Sequence, residues 1–331
     1  MLSTGFFRII KISSNSVRFK LREKSQKKSN ENNNYLLSLL PFFYILYMTE
    51  KNIAGIRRGN IFSPNHIGND AAIFSLTAEA LRTKGYKVNE YTEADLLTKE
   101  IRDDFLFNMV RDWYSIRKLQ QLEDNGRLVI NSGYGIENCT REKMTRLFTA
   151  ANIPYPRSII LQTDEDATVA LEEAGFVDCW IKRYDFHAIH REDVTYVSNI
   201  EEAKGILKEY AIRGIATAVI NEHLIGDLVK FYGVAGTDFF YWFYPNLQHS
   251  KFGLEKINGK AHGISFDKNK LHQVCNEAAE VLNLQIYGGD CIIDEDGTIR
   301  LIDFNDWPSF APCRNQAVPY IAECIHRLIK G

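Results

Sequence analysis

The sequence predicts an α/β fold, with α+β modules following a parallel-sheet unit, and three observations carry that prediction. Apolar stretches of strand length alternate with helical patterns from Lys51 to Ser132. A second run of helix and strand patterns begins near Gly135, and a strand-rich section extends from Ala216 to Asn305. The 331 residues are 45% hydrophobic and 25% charged, enough for two or three linked core-bearing units.

The first 47 residues do not share this pattern. FKLREKSQKKSNENNN at 19–34 is polar and low in complexity, which predicts disorder. YLLSLLPFFYILY at 35–47 is mostly apolar but too short for a bilayer span of ~20 residues, and it is interrupted by Pro41. As a signal peptide it has an overlong basic region and no small-residue cleavage site. We read the working protein as starting at Met48, with 1–47 an over-extended gene start; a membrane-associating leader is the alternative.

From there the elements follow in order. NIAGI (52–56) is a strand, 57–69 a polar loop, and 70–85 a helix opened by Asn69/Asp70 and stopped by Gly85. YKVNEY and FLFNMV are strands, WYSIRKLQQLEDNG is a helix ending at Gly126, and RLVINS is a fourth strand. Helices of this length between strands predict a parallel sheet with right-handed crossovers. In the next unit a helix from Thr140 is closed by Pro154 and Pro156, followed by the strand RSIILQ, a helix, the strand FVDCWIKRY, the strand TYVSN and a helix over 201–214. The strands ATAVINEHLI, DLVKFYGVAG, FFYWFY, GGDCIID and TIRLIDFN come next, the last two joined by a tight turn at 294–297, and an amphipathic helix ends the chain. The domains so defined are 48–134, 135–225 and 226–331.

A net charge of −2 gives no electrostatic case for a nucleic-acid partner. The six cysteines are scattered without a CxxC pair, which suits a reducing cytosol and free thiols and offers no zinc spacing.

The stretch LIDFNDWPSF at 301–310 sets Asp303, Asn305 and Asp306 in an otherwise apolar run. Residues two apart on a strand share a face, and unpaired buried carboxylates are costly, so a cation is expected there. Folding about the 294–297 turn brings Asp290 beside Asp303 and Asn305, and three such oxygen ligands suit Mg²⁺ or Mn²⁺. A solvated sheet edge with turn-stabilising acids would use the same residues. Lys182, in a mostly apolar strand, calls for an anionic partner; Lys143, in the first turns of a helix, opposes the helix dipole unless it reaches an anion. Both could equally be surface lysines. Glu222 ends an apolar strand and Gly226 makes a bend before Asp227 and Lys230, so His223, Leu224 and Ile225 offer free backbone groups able to read an adenine edge.

In these motifs, from about Asn131 to the C-terminus, the chain resembles the ATP-grasp superfamily, and 48–130 resembles the Rossmann-like domain that precedes an ATP-grasp module. The D-x₁₂-D-x-N ending is similar to the metal triad of D-alanine–D-alanine ligase and glutathione synthetase. The resemblance implies that Asp290, Asp303 and Asn305 bind Mg²⁺ bridging the phosphates of ATP. It further implies that Lys143 and Lys182 bind phosphate, that Glu222, His223, Leu224, Ile225 and Asp227 form the adenine and ribose hinge, and that Lys230 points toward phosphates or acceptor. Three features depart from the ligases. Asp303 stands where they usually have Glu, as in the ATP-grasp inositol phosphate kinases. The loop 184–194 has no glycine, leaving His187 and His190 as phosphate donors or as ordinary loop residues. Gly288 stands where D-alanine–D-alanine ligase has an arginine, so Arg300 or Arg314 is the candidate to stabilise the transition state.

The implied activity is acyl-phosphate chemistry, joining small-molecule or peptide carboxylate and amine substrates in the cytoplasm, with no membrane in the mature form and homodimerisation left open. Loop 184–194 is the expected lid, and Arg57, Arg58, Ser63, Asn65 and His66 are candidates to hold an anionic substrate. A small-molecule kinase and a non-catalytic nucleotide-binding module are the competing readings.

Overall fold

The computed structural model describes residues 51–63, 66–184, 193–245, 257 and 259–331. The leader 1–47, Met48, Asn65, His187, His190 and most of the expected lid lie outside the described residues. The described residues all belong to one unit, Glu50–Gly331.

The first sheet is parallel throughout, as the alternating pattern predicts. β1 (Asn52–Arg57) pairs with β2 (Lys87–Thr92) on one side and β3 (Phe105–Asn108) on the other, and β4 (Leu128–Ile130) continues beyond β3. Ile53 and Ala54 enter different hydrophobic clusters, so the sheet is covered on both faces, which explains its nearly continuous apolar strands. On one face lie α1 (Ile67–Thr83) and the C-terminal α9 (Arg314–Lys330), whose Ala317, Ile321 and Ile325 share a core with Ile73, Ala78 and Leu81. The other carries α2 (Glu93–Thr98) and α3 (Trp113–Asp124).

A short α4 (Gly133–Asn138) and α5 (Arg141–Ala150) lead to the second sheet. It is antiparallel, in the order β5 (Ser158–Gln162), β8 (Thr217–Glu222), β6 (Cys179–Arg183), β7 (Val194–Val197). Its outer face packs on α6 (Thr168–Ala174) and α7 (Ile200–Ile212) through Leu171, Ile181, Leu207 and Ile220. The third sheet, also antiparallel, runs β10 (Phe240–Phe243), β9 (Asp227–Val234), β11 (Ile286–Ile293), β12 (Ile299–Asp306), backed by α8 (Lys268–Leu282) and α5. The Gly297 N–H donates to the Asp294 carbonyl at 2.8 Å, closing the expected turn between β11 and β12.

Two helix boundaries differ from expectation, those of α1 and α9, and three helices, α2, α4 and α8, are additional to it. α1 starts at Ile67, a turn before Asn69/Asp70, because those side chains are engaged elsewhere: Asp70 accepts from Arg58 at 3.0 Å and Asn69 from Arg314 at 2.9 Å. α2 and α4, of six residues each, are too short to show a helical period. α8 is absent from the predicted elements although its signature is legible: Asp267 accepts from the amides of Asn269 and Lys270, and Leu271, Val274, Cys275, Ala278 and Leu282 form one buried stripe. α9 begins at Arg314 and runs through Pro319. Among the described residues no helix is long and apolar enough to cross a membrane.

Candidate active site

The second and third sheets meet across a cleft, and β12 is where they touch. The Leu301 N–H donates to the Pro154 carbonyl at 2.9 Å, and the Lys182 ammonium, from β6, donates to the Ile302 carbonyl at 2.9 Å. Glu222, at the end of β8, lies 3.9 Å from Arg300 of β12.

A bulge in β12 answers how an apolar strand presents two acids. The pairing passes from Cys291↔Leu301 to Asp290↔Asp303, skipping Ile302. Leu301 and Phe304, three residues apart, therefore both enter the core of the third sheet, while Asp303 and Asn305 turn to the cleft. The register sets Lys230, Asp290 and Asp303 abreast on β9, β11 and β12, with Asn305 two pairs further along opposite Gly288. Lys230 Nζ lies 2.9 Å and 3.0 Å from the two Asp290 oxygens. Gly288 has a steric reason: a Cβ there would come within 2.6 Å of Tyr232 and 2.9 Å of Pro308, so no arginine fits.

Asp306 is fully buried and points the other way, into an ion pair with Arg111 at 2.8 Å. Arg111 also donates to the Asp306 carbonyl, and Arg58 to the Trp307 carbonyl at 3.1 Å, so two arginines from the first sheet's loops hold the end of β12. Arg58 is thereby structural. Arg57 pairs with Glu90. Arg57, Arg58, Ser63 and Asp70 line a shallow pocket at the C-terminal end of β1.

Of the two predicted phosphate lysines, the structure brings Lys182 to the acids. Its side chain is 7% exposed, and burial pushes its pKa down to about 8, with Asp303 and Asp290 opposing the shift and Arg141 adding to it. Lys143 is half exposed and paired with Glu137 at 2.8 Å. Arg141, two residues earlier, is buried and reaches within 4.0 Å of Asp303. Sequence reading missed it, although Arg141, Met144, Thr145 and Phe148 form the helix's buried stripe, which is the signal that would have found it.

The hinge is partly as expected. Gly226 has φ +152°, and a Cβ there would come within 2.2 Å of the Ile293 carbonyl oxygen, so only glycine fits the bend. Leu224, Leu228 and Ile292, with Ile302 against them, make a small apolar cluster beside it, while Ile225 is exposed. The His223 ring accepts a hydrogen bond from Trp180 Nε1 at 2.9 Å. Glu222 is held by Arg157 at 2.7 Å. Asp227 has a different role from the one expected: it is 1% exposed and its carboxylate accepts from the amides of His262, Gly263 and Ile264 at 2.7–2.8 Å. Arg300 pairs with Asp294 at 2.8 Å at the hinge end of β12, and Arg314 bonds Asn69 and the Ser309 carbonyl beyond its other end.

Among the described residues no group of three or more His, Cys, Asp or Glu is placed to hold a metal; the candidate set is two aspartates and an amide. Its donors are hard oxygens on a rigid strand pair, with side chains about a quarter exposed for Asp290 and Asp303, and they fit a cation that keeps water and phosphate in its remaining positions.

No protein-family model matches the chain, and no curated protein matches it. Solved structures do. The D-alanine–D-alanine ligase of Bacillus anthracis, complexed with ATP, superposes with a TM-score of 0.63 at 15% identity, covering 84% of this chain and 96% of that one. A RimK domain ATP-grasp protein from Sphaerobacter thermophilus gives 0.61 at 14% identity over 84% and 100%. The ATP-grasp ligase PsnB, complexed with a minimal precursor, gives 0.53 at 16% identity over 84% and 99%. The chain has the ATP-grasp fold.

Proposed function

We propose that the protein is an ATP-dependent ligase that activates a carboxylate as an acyl phosphate and transfers it to an amine. The observation that carries this reading is the row Lys230–Asp290–Asp303, with Lys182 and Arg141 beside it and an apolar hinge at one end. ATP would lie with its base against Leu224, Leu228, Ile292 and Ile302 and its phosphates over the row. Magnesium, held by Asp290, Asp303 and Asn305, would supply charge neutralisation on the phosphates. Lys182, Arg141 and Lys230 would spread the remaining charge as a substrate carboxylate oxygen bonds to the γ-phosphorus and ADP leaves. The amine nitrogen then bonds to the acyl carbon, inorganic phosphate departs, and the amine proton is lost. The similar structures of known ligases support the reading. Six buried, free cysteines suit a reducing compartment.

The test is dependence of ADP release on substrates. A ligase releases ADP and phosphate only with a carboxylate, and completes product only with an amine. Asp303, one methylene shorter than glutamate, favours a second reading, phosphoryl transfer to a hydroxyl. That reading requires ADP release with a single acceptor and no free phosphate.

A further inference from the structure

We infer that Tyr155, Thr145 and Asn221 hold a buried water molecule between the second and third sheets, and that this water positions Arg141, a role that rests on the ATP reading above. Thr145 is 3% exposed and Asn221 1%. The hydroxyls of Thr145 and Tyr155 and the Oδ1 of Asn221 are buried and have no hydrogen-bond partner among the described residues. The three lie close together. Burial pushes the Tyr155 pKa up to about 12, and Thr145 and Asn221 stand near enough to its hydroxyl to temper that rise. The orientation of Asn221 is fixed from behind. The Ser158 hydroxyl donates to the Pro156 carbonyl at 2.7 Å, so its oxygen is left to accept from Asn221 Nδ2, also at 2.7 Å. Nδ2 therefore turns to Ser158, which leaves Oδ1 as an acceptor in need of a donor. Unbonded polar atoms gathered at one buried point are costly, and a single water satisfies all three, accepting from the two hydroxyls and donating to Oδ1. The same oxygens suit a small cation, but the charge of Arg141 also acts on the Tyr155 hydroxyl, so a neutral molecule fits.

The three residues belong to different parts of the cleft. Thr145 lies on α5, one turn after Arg141 in the same buried stripe. Tyr155 packs against the core of the third sheet, its ring edge-on to Phe148 at 5.5 Å, and the Pro154 carbonyl before it is bonded by Leu301 of β12. Asn221 lies on β8, abreast of Trp180 on β6, the strand that carries Lys182. Ala218 and Ile220 enter the core on the outer face of that sheet, so Asn221 faces the cleft side. The water thus joins the helix turn after Arg141 to both sheets, where the guanidinium comes within 4.0 Å of Asp303. A shift of α5 that moved Arg141 would break this junction. Tyr155 is a positioning residue, acting on the phosphate site through Arg141.

The experiment has two arms, both on the full chain with folding checked by circular dichroism. The first is urea unfolding, without ligand, of Tyr155→Phe, Thr145→Val and the double variant. Each substitution removes one hydroxyl and keeps the shape. With a shared water, each single variant raises the unfolding equilibrium constant about fivefold, the worth of one hydrogen bond, and the double variant raises it by clearly less than the product. Single variants as stable as wild type or more so, or two losses that multiply in full, overturn the water, since dry hydroxyls are better replaced by apolar groups. The second arm is calorimetric binding of Mg-ATP and of adenosine, which has no phosphate. Tyr155→Phe should weaken Mg-ATP binding about fivefold, leave adenosine unchanged, and cause no further weakening in an Arg141→Met background. An equal loss in both backgrounds, a matching loss for adenosine, or no loss at all overturns the positioning of Arg141 and leaves the nucleotide site standing. Failure of the folded wild-type chain to bind Mg-ATP overturns the ATP reading and the positioning with it, while unfolding still decides the water.

Discussion

Replacing Lys182 by methionine removes a charge that the fold holds at a cost. Burial lowers the lysine pKa from an ordinary 10.5 to about 8. At about 1.4 kcal/mol per pH unit, the cleft holds the charged form about 3 kcal/mol less well than water does. Methionine fills a similar volume and forfeits the hydrogen bond to the Ile302 carbonyl, a loss of about 1 kcal/mol. The variant should therefore be about 2 kcal/mol more stable than wild type at pH 7, read by urea unfolding without nucleotide. The sign of the pH dependence follows from linkage. Below pH 8 the lysine is protonated in both states and the penalty is complete; as pH rises from about 8 to 10.5 the folded state sheds the proton first, and wild type gains on the variant. Mg-ATP should reverse the ranking, since stabilisation by the ligand depends on the ammonium that methionine lacks. A variant less stable than wild type at pH 7, or a difference flat between pH 7 and 10.5, would refute the assignment of Lys182 as a strained functional cation.

Three further outcomes are expected. Asp303→Asn should reduce Mg-ATP turnover by about 100-fold or more while the melting temperature without ligand changes little, because the side chain is a quarter exposed; undiminished ADP release would remove Asp303 from the metal set. Arg111→Met strands the fully buried Asp306 carboxylate and should cost about 3–5 kcal/mol in urea unfolding, part of it recovered in Arg111→Met/Asp306→Leu. Gly226→Ala sets a Cβ against the Ile293 carbonyl at φ +152° and should cost about 3 kcal/mol or more; a loss below about 1 kcal/mol would mean that the bend relaxes freely.

The difference between what the sequence disclosed and what it withheld lies in which patterns carry direction. The parallel sheet was legible because alternating strands and helices admit few other arrangements. The partnership of Asp290 and Asp303 was legible because a tight turn fixes the register of the strands it joins. The bulge at Ile302 was not: an unbroken strand places Leu301 and Asp303 on one face, and only the presence of both Leu301 and Phe304 in the core requires the extra residue. Lys143 and Arg141 share a place near a helix start. Position along the helix says nothing of direction, whereas the spacing of Arg141, Met144, Thr145 and Phe148 does.

Asp227 shows the same limit from the other side. A carboxylate after a bend can serve a ribose hydroxyl or a loop's own amides, and the two uses need the same residue at the same place. Three amides at 262–264, thirty-five or more residues away in the chain, decide it here. Asp306 is decided likewise, by Arg111 of the first sheet. Of the acids in the strands and the hinge, Asp227 and Asp306 are buried and bonded within the fold, to loop amides and to Arg111. The two that face each other across one hairpin, Asp290 and Asp303, are the ones left at the cleft, with cations gathered around them.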